Sequence, residues 1–370
     1  MTAQVQRIAG TSALPFSAAT KADGLVYASG TIVPDGDIRA QTKAVLESLD
    51  ATLKKAGSSL TNAASVQVYI KNAADFAAMN EVYRTFWKAD PPARTTIVAD
   101  LVLPNGLVEM SVVAVPTGGD RTVIHPADWM KSPNPYSYGV KTGNTLFLSG
   151  LVARNGKDNS VVEGNMAVQT KAVLDNGAAI LKAAGMSYDN VVSSKVFITD
   201  NSKFQEMNEV YRTFFTKEPP ARATVVSPLM GAANLVEITM TAVSGPKQIF
   251  ATPAADGTPG KPSPLLSSAV KVGNRLYLSG LLGNTAANAT DIEAQTREIL
   301  ARVERTMKVA GFGWSDVVDG VVYITDVANF DGMNKGYRAV IAKDLPARAT
   351  VRTGLVSAGG LVEIMFVASK

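Results

Sequence analysis

The order of apolar and polar residues changes its period along the chain, and that change predicts the elements. Leu25-Val26-Tyr27-Ala28-Ser29 is a short apolar run with β-formers and predicts a strand. Ile38, Val45, Leu49, Leu53 and Ala56 then step by three, four or seven, the spacing of one helix face. Gly57 follows where a helix-terminating glycine belongs. Val66, Val68 and Ile70 alternate with Gln67 and Tyr69, as in a strand. Phe76, Met79, Tyr83 and Phe86 form a second helical stripe, which the Pro91-Pro92 pair cannot prolong. Two more strands are predicted around Thr95–Ala99 and Leu107–Val115.

This β-β-α-β-α-β-β series occurs three times. Met79-Asn80-x-x-Tyr83-Arg84 returns as Met207-Asn208-x-x-Tyr211-Arg212 and Met333-Asn334-x-x-Tyr337-Arg338. Pro92-Ala93-Arg94 returns as Pro220-Ala221-Arg222 and Pro346-Ala347-Arg348, and Leu107-Val108-Glu109 as Leu235-Val236-Glu237 and Leu361-Val362-Glu363. All three anchors step by 128 and then 126 residues, an internal repeat of domain size. Ser29-Gly30, Ser149-Gly150 and Ser279-Gly280 step by 120 and 130, so the segment after each Gly varies in length, as a surface loop can. The expected organisation is a domain over 1–117, a linker and second domain over 118–246, and a linker and third domain over 247–370, all α+β. The linkers open at Pro116-Thr117-Gly118-Gly119-Asp120 and Ser244-Gly245-Pro246 and are expected to be exposed crossings. Gly177 and Gly336 interrupt helices where the other copies carry larger residues, which predicts close approach of another backbone at each.

Composition narrows the chemistry. The 370 residues are 46% hydrophobic and 18% charged, with a net charge of +4, ordinary for a globular chain. The absence of cysteine rules out disulfides and thiolate chemistry, and the lone histidine, His125, rules out a His-based site in every copy. No run of basic residues marks a nucleic-acid surface, and no stretch approaches 18 consecutive apolar residues. The N-terminus lacks the layout of a signal peptide, although one already removed would leave no trace. A cytoplasmic location is expected.

Chemistry common to the copies therefore rests on Arg, Glu, Asn, Thr and Tyr. If the strands of Arg94 and Glu109 pair as a hairpin, the two side chains meet across it. The result is either a structural ion pair or a site in which the guanidinium grips a carboxylate and the Glu handles a water. A neighbouring Arg would lower the Glu pKa and weaken it as a base, which suits an electrophile needing little activation.

The Ser-Gly, Asn-x-x-Tyr, Pro-Ala-Arg and Val-Glu-Ile/Met motifs, in this order three times, resemble the RidA/YjgF family, which also carries the endoribonuclease L-PSP name. The resemblance covers nearly the whole chain outside the linkers. It implies chorismate-mutase-like domains closing into an intramolecular pseudo-trimer with clefts between modules, monomeric as a chain. It also implies hydrolytic deamination of 2-imino acids such as 2-iminopropanoate and 2-iminobutanoate to 2-oxo acids and ammonia, with no cofactor, metal, nucleic-acid or membrane partner. Arg94, Arg222 and Arg348 would hold the small-molecule carboxylate, and Glu109, Glu237 and Glu363 the water. Asn80, Asn208 and Asn334 would contact substrate, unless they serve as helix-surface or capping residues. Thr96, Thr224 and Thr350 would line the pocket, where family members often have Cys, although strand propensity alone explains a Thr. The family's Gly-Pro-Tyr survives as Pro135-Tyr136, with Pro15-Phe16 and Pro264-Leu265 as its counterparts. Tyr136 is either a site residue or a surface aromatic. The clefts are expected to differ, with that of Tyr136 best formed. Alternatives are a binding or sensing module for 2-oxo or imino acids, which the Phe16 and Leu265 changes favour, and an endoribonuclease or translation inhibitor, which lacks a His pair, an acidic cluster or a basic-aromatic groove.

Overall fold

A computed structural model describes residues 4–10 and 13–370. The long helix of each module, α1 (Ile38–Lys55), α3 (Met166–Ala183) and α5 (Ile292–Ala310), starts on a side-chain cap. Asp37, Asn165 and Asp291 accept the N–H of Ala40, Val168 and Ala294 and so satisfy a donor the helix leaves open. Gly57, Gly185 and Gly311 follow in the left-handed region, at φ of 75°, 73° and 80°, and turn the chain out of the helix. Shorter helices, α2 (Phe76–Phe86), α4 (Phe204–Phe214) and α6 (Phe330–Val340), pack on the long ones.

In the first module the sheet order is Gln6–Ile8, Ala19–Ala22, Leu25–Thr31, Val108–Ala114, Ala63–Ile70, Ala93–Val98. The other two sheets repeat it, with an extra short strand at one edge. Each module thus follows the expected series and adds a short opening strand. Those of the second and third modules, Thr122–Ile124 and Gln248–Phe250, lie within the segments expected to be exposed crossings.

Ala63–Ile70 runs parallel to Ala93–Val98, with α2 as the crossover, and antiparallel to Val108–Ala114. The strands of Arg94 and Glu109 are therefore separated by a third strand. The hairpin contact between these two residues does not form, because a crossover helix requires parallel neighbours.

One face of each sheet carries its helices; Val66, Val68 and Ile70 join the core beneath α1 and α2. The opposite face is buried as well. Tyr69, Phe197 and Tyr323 from the three equivalent strands enter one central cluster with Ile97, Val225 and Val351. Alternation here separates two interiors rather than core from solvent.

The modules also join edge to edge. Asp100–Leu101 of the first module pairs with Ala347–Arg352 of the third, and Gly354–Leu355 of the third pairs with Ala221–Val226 of the second. Leu229 of the second bridges to Ile97 of the first, which closes the cycle.

Along the centre the three copies differ. Lys195 stands where the others have Gln67 and Val321, and its Nζ donates to Gln67 Oε1 at 3.1 Å. Asp319 stands where the others have Ser65 and Ser193, across a chamber of about 90 Å³. Arg275 occupies the position of Leu25 and Thr145. It donates to Thr145 Oγ1 and to the Asp23 carbonyl, both at 2.6 Å, and its Nε lies 2.9 Å from Asp23 Oδ2.

The two helical glycines have different causes. A Cβ on Gly336 would stand 2.7 Å from the Glu293 carbonyl of α5, so two backbones do approach closely there. Gly177 corrects the expectation: its neighbours are the side chains of Met240 and Tyr188, at 2.6 and 2.7 Å from a built Cβ. Among the described residues no helix is long and apolar enough to cross a membrane. Replacing a helical Gly by Ala normally gains about 1 kcal/mol. Gly336→Ala is expected instead to lose about 1–3 kcal/mol by overpacking, read as a lower urea midpoint. An unchanged or raised midpoint would contradict the tight α5–α6 contact.

Candidate active site at the seams between modules

Each seam is built by the same hydrogen bonds. The Arg94 N–H donates to Ser149 Oγ at 2.8 Å, and that hydroxyl donates to the Ser137 carbonyl at 2.6 Å. Arg222 with Ser279 and Ser267, and Arg348 with Ser29 and Ser17, repeat the arrangement. Ser137 also donates its N–H to the Pro92 carbonyl and its hydroxyl to that of Pro91, as Ser267 and Ser17 do to their Pro-Ala-Arg turns. The Ser-Gly of one module is thereby fixed to the Pro-Ala-Arg of another.

The Arg of one module consequently meets the Glu of its neighbour. Arg94 interacts electrostatically with Glu237, Arg222 with Glu363, and Arg348 with Glu109. All six side chains are at least 96% buried, Arg348 being only 1% exposed. Each guanidinium lies over a tyrosine of its own module, with centroid distances of 4.7 Å to Tyr83, 4.7 Å to Tyr211 and 4.9 Å to Tyr337. The Tyr of Asn-x-x-Tyr is thus a cation–π platform as well as a core residue. Burial pulls the arginines below their usual value, Arg348 to about 10, which leaves that guanidinium charged at neutral pH.

Asn80 and Asn334 turn onto these arginines and accept from them at 2.7 Å. Neither is a helix-surface or capping residue. Asn208 is buried as well, but its amide makes no hydrogen bond, and Arg222 keeps Nε and Nη1 unpaired. Arg348 likewise has Nε and Nη1 free of protein partners.

The glutamates reverse the expected electrostatics. Glu109, Glu237 and Glu363 are each pushed up to about 8, because burial outweighs the backbone N–H and the arginine that favour the charged form. The backbone N–H groups come from Thr350, Thr96 and Thr224, whose hydroxyls are buried without partners. Each carboxyl also lies against Gly30, Gly150 or Gly280, where any Cβ would overlap an oxygen. The Ser-Gly motif therefore does two jobs: the Ser ties the seam and the Gly leaves room for the carboxyl.

Two seams open into hollows of similar size. One, of about 330 Å³, is lined by Phe16, Gly30, Glu109, Arg348 and Thr350. The other, of about 310 Å³, is lined by Arg94, Thr96, Tyr136, Gly150 and Glu237. Phe16 covers Arg348 at 5.3 Å and Tyr136 covers Arg94 at 5.8 Å, so Tyr136 lines its cleft and is not a surface aromatic. In the third copy the proline slips by one residue. Ser267 is the counterpart of Ser17 and Ser137 by its bond to Pro220, so Leu266, not Leu265, takes the place of the ring.

The serines Ser17, Ser137 and Ser267 were discernible in the sequence only as a residue following the aromatic position. Arg154 and Asn159, which line the Tyr136 hollow, lie in the segment whose length varies between copies.

A carboxyl whose pKa is higher folded than unfolded favours the fold while protonated. This contribution is complete below about pH 4.3 and is lost as pH rises through about 8. Urea unfolding at pH 5, 7 and 9 is expected to show declining stability, and E109Q/E237Q/E363Q is expected to flatten the decline. Superimposable pH profiles for the two proteins would refute buried, neutral glutamates.

A sequence model of the endoribonuclease L-PSP family matches residues 7–116, 127–244 and 261–370. A RutC family protein of Sulfurisphaera tokodaii is 40% identical over 115 residues, 31% of this chain and 92% of that protein. The 2-iminobutanoate/2-iminopropanoate deaminase of Mus musculus is 35% identical over 126 residues, 34% of this chain and 93% of the relative. A solved structure of a Thermotoga maritima protein described as a putative endoribonuclease is 34% identical, with a TM-score of 0.33, covering 34% of this chain and 98% of its own. With three matches spanning most of its length, the chain belongs to the endoribonuclease L-PSP family and carries that family's domain three times in tandem.

Proposed function

We propose that the chain is a cofactor-independent 2-imino acid deaminase working at the seams of a single-chain trimer. The observation that carries this reading is the pairing, at each seam, of a charged guanidinium from one module with a neutral-poised carboxyl from its neighbour. The relatives named 2-iminobutanoate/2-iminopropanoate deaminase support it.

The guanidinium grips the substrate carboxylate through donors that no protein group takes, unspent on Arg348 and Arg222. Asn80 and Asn334, with the tyrosine platforms, act as positioning residues that hold the fork in place. The hydroxyls of Thr96, Thr224 and Thr350 are available to the bound molecule. A 2-iminium carboxylate then presents its C=N carbon near Glu109, Glu237 or Glu363. Ionised, the Glu takes a proton from water as the oxygen bonds to C2 and the C=N π electrons move to nitrogen. The same Glu returns the proton to the nitrogen of the carbinolamine. Ionised again, the Glu takes the hydroxyl proton as the C–N bond breaks, so that ammonia leaves with the bond's electron pair and C2 becomes the carbonyl of the 2-oxo acid. The Glu then loses that proton to ammonia or solvent. A base with a pKa near 8 is stronger than an ordinary carboxylate and still ionises near neutral pH. Pure binding suits the third seam best, where Leu266 replaces the ring and Asn208 does not hold Arg222.

The chain is expected to speed the decay of 2-iminopropanoate generated in situ by an amino-acid oxidase. R94A/R222A/R348A should lose roughly 10- to 100-fold of kcat/KM, the equivalent of one charged hydrogen bond per site. No acceleration by the intact chain would end the proposal.

The rate is expected to rise with pH through about 8 and to level off above it, since the base must be ionised. A rate that falls across this range would show instead that the carboxyl works as an acid.

A further inference from the structure

The two open hollows share their floor but not their walls. Above Arg348 the wall carries Leu14, Phe16, Ile32, Val102 and Leu103, and its polar residues Ser48 and Thr52 are uncharged. At the equivalent positions above Arg94 stand Asn134, Tyr136, Val152, Met230 and Gly231. Asn234 lines this second hollow where the first module has Gly106.

The second hollow also contains a cation that the first lacks. Gln41 follows Gly30 by 11 residues, whereas Gln169 follows Gly150 by 19. The longer segment folds back on itself through a bridge between Arg154 and Val161, and Arg154 and Asn159 become part of the wall. Arg154 Nη1 donates to the Asn159 carbonyl at 2.9 Å. Among the described residues no carboxylate pairs with it. The position equivalent to Arg154 in the first module is Pro34, which has no side-chain donor.

We infer that the hollow of Arg94 and Arg154 takes 2-imino acids with a second, side-chain carboxylate, such as the imines of aspartate and glutamate, while the hollow of Arg348 takes imines with apolar side chains. The inference rests on the deaminase reading and gives it two substrate classes in one chain. Arg94 takes the carboxylate next to the imine, and Arg154 answers the charge at the far end. The one carboxyl lining this hollow, Glu237, is largely neutral at pH 7, so the enclosed charge favours a dianion. In the other hollow a side-chain carboxylate would face Leu103 and Val102, with the neutral hydroxyls of Ser48 and Thr52 but no second cation to offset its lost hydration.

The test compares acceleration of decay for imines made in situ from aspartate and from leucine, using the intact chain, R154M, R154K and R348A. R154M keeps most of the aliphatic stem and removes the charge. It is expected to lower the acidic-to-apolar activity ratio by about tenfold or more, the scale of a charged hydrogen bond, and R154K to restore part of it. R348A is expected to raise the ratio. A ratio unchanged in R154M, or lowered in R348A, overturns the assignment.

If the intact chain accelerates neither imine, the deaminase reading fails by itself. Calorimetric titration with 2-oxoglutarate and 4-methyl-2-oxopentanoate then decides the side-chain preference. Loss of 2-oxoglutarate binding in R154M supports it, and equal binding by R154M and the intact chain overturns it.

Discussion

Three buried serine hydroxyls, those of Ser29, Ser149 and Ser279, hold the seams together. Each accepts the arginine N–H of another module and donates to a carbonyl of its own. Neither bond can be lost cheaply, because the three serines are buried and an orphaned buried polar group costs about 1–3 kcal/mol. The hydroxyls thereby fix where the Pro-Ala-Arg turn stands relative to the neighbouring sheet. The guanidinium follows from the turn, and the carboxyl follows from the glycine beside the serine. Each site belongs to an interface, so its geometry is only as good as the docking of two modules.

The repeat, the element order and the helix ends were legible because they are local. A 3.6-residue stripe, a cap and a left-handed glycine each leave a signature within a few positions, as at Asp37, Leu49 and Gly57. The partner of each arginine was not legible. Arg94 and Glu109 are close in sequence and yet lie on opposite sides of a third strand, while Glu237, far along the chain, completes the site. The direction of the glutamate pKa was misjudged for the same reason. The sequence shows the charge next to Glu109 but not the depth at which both are buried, and depth decides the outcome. The register of Leu266 was hidden because Pro264 imitates the motif one residue early.

The variable segment shows how the sites can diverge without loss of their common floor. Serine, glycine, arginine and glutamate sit on strands or at their ends, where a shift would break the seam. The residues after Gly150 form a loop whose length is free, and it reaches the rim of the hollow. Changes there alter what the wall offers while leaving the hydrogen bonds beneath intact. Gln169 closes the far end of this freedom. Its side chain accepts from the Leu235 N–H and donates to the Ala233 carbonyl, which fixes the turn leading into Leu-Val-Glu.

The unlike residues along the centre bear on heredity as well as on packing. In a ring of three identical subunits every axial side chain confronts two replicas of itself, so a solitary ammonium there would face two more. Here Lys195 faces a glutamine, a valine and an aspartate, and Arg275 faces a threonine and a leucine. Such a set is attainable only once the three copies are encoded separately and can mutate apart. It also makes the transition hard to undo: a liberated module has lost the self-complementary face on which free subunits would reassemble.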